Sequence, residues 1–122
     1  MAAKDDVGRR GEQLAAELLT QEGYALLARN WRGQDGELDL VALDGATLVA
    51  VEVKTRSGTL FGHPAEAVTP RKIARLRRLT GQWLTEHGRD VRPGFREVRI
   101  DVVAVTLSAT GPWRVELLRG VS

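Results

Sequence analysis

Two strongly apolar segments each carry carboxylates where a buried strand ordinarily carries none: Gly36-Glu37-Leu38-Asp39-Leu40-Val41 and Val51-Glu52-Val53-Lys54. A carboxylate on a central strand has to be paired, hydrogen-bonded or bound to a metal, because stripping it of water is otherwise too costly. Lys54 follows Glu52 by two positions, so in a strand both side chains leave the same face. A fold that buries these segments gathers acids and an amine in one place, and that gathering suggests a site.

A chain of 122 residues fits one domain with enough core to stand without cross-links. There is no cysteine, which excludes disulfides, zinc–thiolate centres and cysteine nucleophiles. No apolar run reaches the roughly 20 residues needed to cross a bilayer. The start, Met1-Ala2-Ala3-Lys4-Asp5-Asp6, runs straight into charge and lacks the apolar segment of a secretion signal. A cytoplasmic protein with no membrane partner is the expectation. The net charge of +2 is uninformative, but its distribution is not: Arg71, Lys72, Arg75, Arg77 and Arg78 crowd together, and guanidinium forks suit phosphate oxygens.

Apolar periodicity predicts a helix over 7–22 built on Val7, Gly11, Leu14, Ala15 and Leu18, capped by Asp5 or Asp6 and ended by Gly23. A short strand follows over 24–31, with a polar turn at 32–35. Strands over 37–43 and 47–54 form a hairpin through Asp44-Gly45. Thr69-Pro70 reads as a capping hydroxyl followed by a first-turn proline, opening a helix over 70–87. Ile73, Leu76, Thr80, Trp83 and Leu84 form its apolar side, and Arg71, Arg75 and Arg78 its basic side. A strand near 98–106 and a last strand over 113–118, at the sheet edge because Pro112 opens it, complete the chain. The helix between strands 47–54 and 98–106 is a crossover, which joins parallel neighbours. The expectation is a single α/β domain with a mixed sheet, in the order α-β-β-β-α-β-β.

A two-residue Asp44-Gly45 loop pairs Leu43 with Ala46 and, by count, Asp39 with Ala50 and Glu37 with Glu52. One face then carries Glu37, Asp39, Glu52 and Lys54, with Asp39 and Glu52 diagonal; a four-residue loop sets those two directly opposite. The other face carries Leu38, Leu40, Val49, Val51 and Val53 and must be core. Carboxylates gathered in this way repel one another unless a cation holds them, and oxygen donors without histidine or cysteine favour Mg2+ or Mn2+. Lys54 is then placed to orient a nucleophile or stabilise developing negative charge. The alternative is structural: Glu37 and Glu52 exposed on an uncovered sheet face, paired with Lys54 or Arg56.

Further motifs are Gly8-Arg9-Arg10-Gly11-Glu12, Asn30, Thr55-Arg56, Phe61-Gly62, Ala65-Glu66-Ala67-Val68 with Lys72, and Arg99-Ile100-Asp101-Val102-Val103. With the two acidic segments, they make a set that resembles the YraN-like family, also called UPF0102, over nearly the whole chain. That family is similar to the Holliday-junction resolvases and the restriction-endonuclease-like nucleases, with their PD-(D/E)xK arrangement. The resemblance implies a restriction-endonuclease-like domain in which Asp39 fills the aspartate position and Glu52-Val53-Lys54 the (D/E)xK triplet. It implies that Asp39, Glu52 and the Val53 carbonyl bind magnesium, with Glu12 reaching it directly or through water, and that Lys54 assists the attacking water. No proline precedes the aspartate, and Glu37 stands two positions before it. The function so implied is a metal-dependent endonuclease acting on DNA, branched or structured, with Arg56, Arg71, Lys72, Arg75 and Arg78 on the phosphate backbone. The alternative is a non-catalytic nucleic-acid- or protein-binding module on the same scaffold. Resolvases of the related type are dimers, although nothing in this sequence marks an interface. Asp101 is expected to pair with Arg99 or a neighbouring helix, the tryptophans to serve packing, and the loop at His63 to have no metal role.

Overall fold

The computed structural model describes residues 3–34, 36–57 and 68–121, with side chains from Asp6 onward. His63 and the motif residues at 61, 62 and 65–67 therefore lie outside the described residues. The order is α1 (Ala3–Gln21), β1 (Ala25–Gly33), β2 (Gly36–Asp44), β3 (Thr47–Ser57), α2 (Pro70–His87), β4 (Glu97–Leu107) and β5 (Arg114–Leu118), with a short 3-10 turn over Gly88–Asp90. The five strands lie in sequence order in one sheet. β3 and β4 run parallel from Thr47↔Glu97 to Ser57↔Leu107, and the other neighbours are antiparallel. The α2 crossover thus joins parallel neighbours, as expected, and β5 is an edge.

Both faces of the sheet are covered, and the alternation of β3 shows how. Leu48 and Ala50 point to the side of α2 and pack with Leu76, Leu79, Trp83, Val41, Leu43 and Ile100. Val49 and Val51 point to the side of α1 and pack with Ala15, Leu19, Tyr24, Leu40, Ala42, Val103 and Val105. Among the described residues neither face of the sheet is left open, so Glu52 does not stand on the uncovered face of the structural alternative. With Glu52 and Lys54 on the even positions of β3, these charged side chains fall on the α2 side.

The hairpin register differs from the expected one. Asp44 pairs with Thr47, Val41 with Ala50 and Leu40 with Val51, so the loop is Gly45-Ala46. Gly45 takes the first loop position with φ 60°, where a Gly-first tight turn needs a positive φ, rather than the second position of an Asp-Gly turn. By the same count Asp39 stands opposite Glu52, not Ala50, although the paired register itself stops at Leu40↔Val51.

A second irregularity sits beside the first. Leu38 belongs to the α2 cluster with Val41 and Leu43, whereas Leu40 and Ala42 belong to the α1 cluster. The alternation therefore slips at Asp39, and Leu38 does not share a face with Leu40 as expected. Across the strand, the pairing of β1 with β2 skips from Arg29↔Leu40 to Trp31↔Leu38, and the skipped Asn30 has φ 51°. Asparagine is among the few residues that tolerate this conformation.

The helices start and stop largely as their sequences dictate. Thr69 caps α2, its Oγ1 accepting the Lys72 N–H at 3.2 Å, and Gly88 closes it. Helix α1 starts at Ala3, so Asp5 and Asp6 lie within its first turns rather than capping it; Asp6 pairs with Arg9. Trp83 is buried and Trp31 packs against it in the α2 cluster, while Trp113 lies 5.0 Å under the Arg10 guanidinium. Asp101, wholly buried on the α1 face, accepts from Tyr24 Oη, Arg99 Nε and the Gly120 N–H at 2.8, 2.8 and 2.9 Å. This is the structural pairing with Arg99 that the sequence led us to expect.

Candidate functional site

Asp39 is placed by the slip in β2. Its Oδ2 accepts the Val53 N–H at 2.8 Å, so the side chain takes over where strand pairing has ended. The carboxyl is pushed up to about 7, first by burial and then by the Glu52 carboxylate, with smaller contributions from Glu12 and Glu37; only the Val53 N–H opposes them. Buried negative charge is in excess around this group.

Glu52 follows on β3, on the α2 side, and its carboxylate is taken by Lys72 from the first turn of α2, with Nζ to Oε2 at 2.5 Å. Lys54 lies two residues on, half-buried and facing the same cleft. Glu12 arrives from α1. That helix comes very close to β3 because residue 11 is glycine: a Cβ there would collide with Thr55 Oγ1. With its amide nitrogen turned toward the carboxylate, Asn30 donates to both Glu12 oxygens, at 2.6 and 3.0 Å. Burial, followed by Glu37, raises the Glu12 pKa, while Arg29 and Asn30 lower it.

Glu12, Asp39, Glu52, Val53, Lys54 and Lys72 line one cleft of about 410 Å³, floored by Thr55 and rimmed by Val7 and Gly8. The structure thus brings together Glu12, Asp39, Glu52, Val53 and Lys54, whereas Glu37, expected on the same face opposite Glu52, lines a separate pocket with Arg32, Gly33, Gln34 and Gly36. Among the described residues, however, no three histidine, cysteine, aspartate or glutamate side chains converge closely enough to hold an ion as they stand. The chemistry of the set does suit a hard dication: all donors are oxygen, none is soft, and burial, followed by the neighbouring carboxylates, holds Asp39 near 7.

The residues named for phosphate contact divide. Arg71, Arg75 and Arg78 are exposed along α2, whereas Lys72 turns inward to Glu52 and Arg56 is half-buried near the end of β3 beside Thr106. Two residues named in the sequence contribute to the site in roles that its reading did not assign. Asn30 matters as the partner of Glu12, and its residue type, tolerant of positive φ, was the available clue. The inward turn of Lys72 was also missed. Lys72 precedes Leu76 by four residues and Leu79 by seven, so helical spacing continues the buried stripe onto it.

The element order and the helix-flanked mixed sheet are those expected from the sequence. The chain belongs to the uncharacterised protein family UPF0102, whose model matches residues 11–105. It is 60% identical over 121 residues to a UPF0102 protein of Beutenbergia cavernae, covering 99% of each chain. It is also 57% identical over 120 residues to a UPF0102 protein of Frankia alni, covering 98% of this chain and 97% of the relative. A UPF0102 protein of Kineococcus radiotolerans is 52% identical over 122 residues, with 98% and 96% covered. No helix among the described residues is long and apolar enough to cross a membrane.

Proposed function

We propose that the protein is a Mg2+- or Mn2+-dependent endonuclease that hydrolyses phosphodiester bonds in DNA, with branched or otherwise structured DNA as the preferred substrate. The observation that carries this reading is the meeting of Asp39, Glu52 and Lys54 in one cleft, at the point where β2 and β3 cease to pair. Asp39, Glu52 and the Val53 carbonyl would hold the cation, with Glu12 as an outer or direct partner. A bound dication there supplies polarisation of the phosphoryl oxygen and a more acidic water.

The chain's own groups do the rest. Lys54, on the same strand face as Glu52, orients the attacking water and stabilises the negative charge that builds on the phosphoryl oxygens as the P–O bond to the leaving oxygen breaks. Asn30 holds Glu12 in place through both of its oxygens. The exposed arginines of α2 offer forked donors to a phosphate backbone.

The test is cleavage of a panel of branched, double-stranded and single-stranded DNAs with Mg2+ or Mn2+, using the wild type, Asp39→Ala, Glu52→Ala and Lys54→Ala. Cation-dependent cleavage that is lost in Asp39→Ala and Glu52→Ala and reduced by about 10²–10³ in Lys54→Ala is expected. A wild type that neither cleaves any of these DNAs nor binds either cation ends this reading. DNA binding that is tight, salt-dependent and indifferent to magnesium and to Glu52→Ala favours instead a non-catalytic module resting on the arginine face of α2.

A further inference from the structure

The first turn of a helix is the positive end of its dipole and favours acidic side chains. Helix α2 has none there, and Arg71 and Lys72 occupy the turn instead. A lysine so placed gains from a carboxylate elsewhere, and the Thr69 cap fixes the turn that carries it. Unlike the exposed Arg71, Arg75 and Arg78, Lys72 leaves the basic face and reaches across to the sheet. The pair it makes is largely desolvated, with the Glu52 side chain 13% and the Lys72 side chain 28% exposed. Glu52 stands beside Asp39 and in the same cleft as Glu12, so removing the ammonium would leave three neighbouring acids without that compensation.

The cleft thus has the donors for a hard dication, yet its carboxylates do not converge on a point, and one of them is already held by an amine. We propose that Lys72 is a built-in counter-ion that competes with a divalent cation for Glu52. Without the ion, the Lys72–Glu52 pair balances the acidic set and holds Glu52 toward α2. When an ion takes the carboxylate, the amine is released into the cleft as a second positive group beside Lys54, on the side where a phosphate would lie. The inference rests on the cation-binding half of the reading above and needs no hydrolysis. In its simplest consequence, the wild type binds the cation more weakly than its acidic donors alone would.

The experiment is calorimetric titration of the full chain with Mn2+ at pH 8, comparing wild type, Lys72→Arg and Lys72→Met, each verified as folded by circular dichroism. Lys72→Met is expected to bind Mn2+ about tenfold more tightly, equivalent to about 1.4 kcal/mol of competition removed, and Lys72→Arg to stay close to wild type. Equal or weaker binding by folded Lys72→Met overturns the proposal. Should that variant not fold, amine acylation of the wild type followed by mass spectrometry reads the same exchange. Lys72 is expected to be protected without Mn2+ and to gain reactivity along the binding isotherm, and reactivity unchanged at saturation overturns the proposal. Mn2+ binding with this signature but without DNA cleavage removes the hydrolytic reading and leaves Lys72 as the competitor. Cleavage with no effect of Lys72 on Mn2+ affinity does the reverse, and no Mn2+ binding by any variant overturns both.

Discussion

Asp39 Oδ2 accepts the Val53 N–H at 2.8 Å, so an acid on β2 completes the backbone of β3 just past the last paired residues, Leu40 and Val51. An amide donor is thereby satisfied where the sheet opens, and the aspartate is fixed in a half-buried position facing Glu52. Fold and site share this one bond. The arrangement keeps a carboxyl where its charge is unwelcome, and this has consequences for stability.

The Asp39 carboxyl stands near 7 in the folded chain, against 3.8 for the free side chain, with burial the largest cause and Glu52 the next. Folding therefore favours the protonated form. Its contribution to stability is complete below about pH 4 and is lost as pH rises through about 7. Asp39→Asn keeps an oxygen to accept the Val53 N–H but carries no charge. It is expected to be more stable than wild type by up to about 4 kcal/mol at pH 8 and nearly equal to it at pH 4. Urea denaturation at the two pH values measures the difference, and Mn2+ at pH 8 is expected to stabilise the wild type alone. A gap that is the same at pH 4 and pH 8 would show that the carboxyl carries no such burden.

Much of this geometry was legible in the sequence, and the reasons for the rest are specific. Helix α2 was readable over its full length because Thr69-Pro70 and Gly88 mark both ends. The parallel pairing of β3 with β4 followed from the crossover. The β2–β3 register was not readable: moving the partner by two positions leaves every side chain on its own face, so hydrophobic pattern cannot distinguish the two choices. The turn does so: an Asp44-Gly45 type I′ loop needs a positive φ at Asp44, which Asp44 does not have, and the Gly45-Ala46 loop sets Asp39 opposite Glu52 by count. The slip that sends Leu38 to the α2 side depends on φ at Asn30, a property that residue type permits but does not require.

The contact between Gly11 and Thr55 governs how closely α1, and with it Glu12, approaches the cleft. A methyl group at position 11 would meet Thr55 Oγ1 well inside contact distance. Gly11→Ala is expected to destabilise the fold by about 1–3 kcal/mol, the usual cost of overpacking, despite the better helix propensity of alanine. Adding Thr55→Ala removes the hydroxyl and is expected to recover most of the loss. Chemical denaturation of both single variants and the double variant gives the coupling energy. A purely additive double variant would mean that the helix does not depend on this contact for its approach.

The Asp101 network is predicted to matter for stability and not for the cleft. Asp101 is fully buried and accepts from Tyr24, Arg99 and Gly120, while Arg99 also reaches Asp44 at 2.8 Å. Asp101→Ala leaves the partly buried Arg99 short of its main partner and is expected to cost about 3–5 kcal/mol. Tyr24→Phe, which removes one donor, is expected to cost about 1–3 kcal/mol. Urea midpoints measure both. Mn2+ affinity of the folded Tyr24→Phe protein should match wild type, since Tyr24 packs on the α1 face and Glu52 lies on the other. A large change in that affinity would show that the two faces of the sheet are coupled.

Arg71 and Arg75 test the nucleic-acid half of the proposed function separately from the acidic cleft. Both are exposed on α2, outside the buried stripe of Leu76, Leu79 and Trp83. A side chain that only neutralises phosphate contributes through released counter-ions, so its removal lowers affinity on every sequence and flattens the salt dependence. The double variant Arg71→Ala/Arg75→Ala is expected to reduce the slope of log affinity against log salt by about 2 on duplex DNA, with Mn2+ binding and thermal stability little changed. Fluorescence anisotropy over a range of salt concentrations, in a buffer without divalent cations, gives that slope directly. Because Lys72 is turned to Glu52, Lys72→Ala is expected to change the slope less than either arginine replacement does. A slope that is the same in wild type and the double variant would move the DNA path away from α2, leaving the acidic cleft to be tested by its own variants.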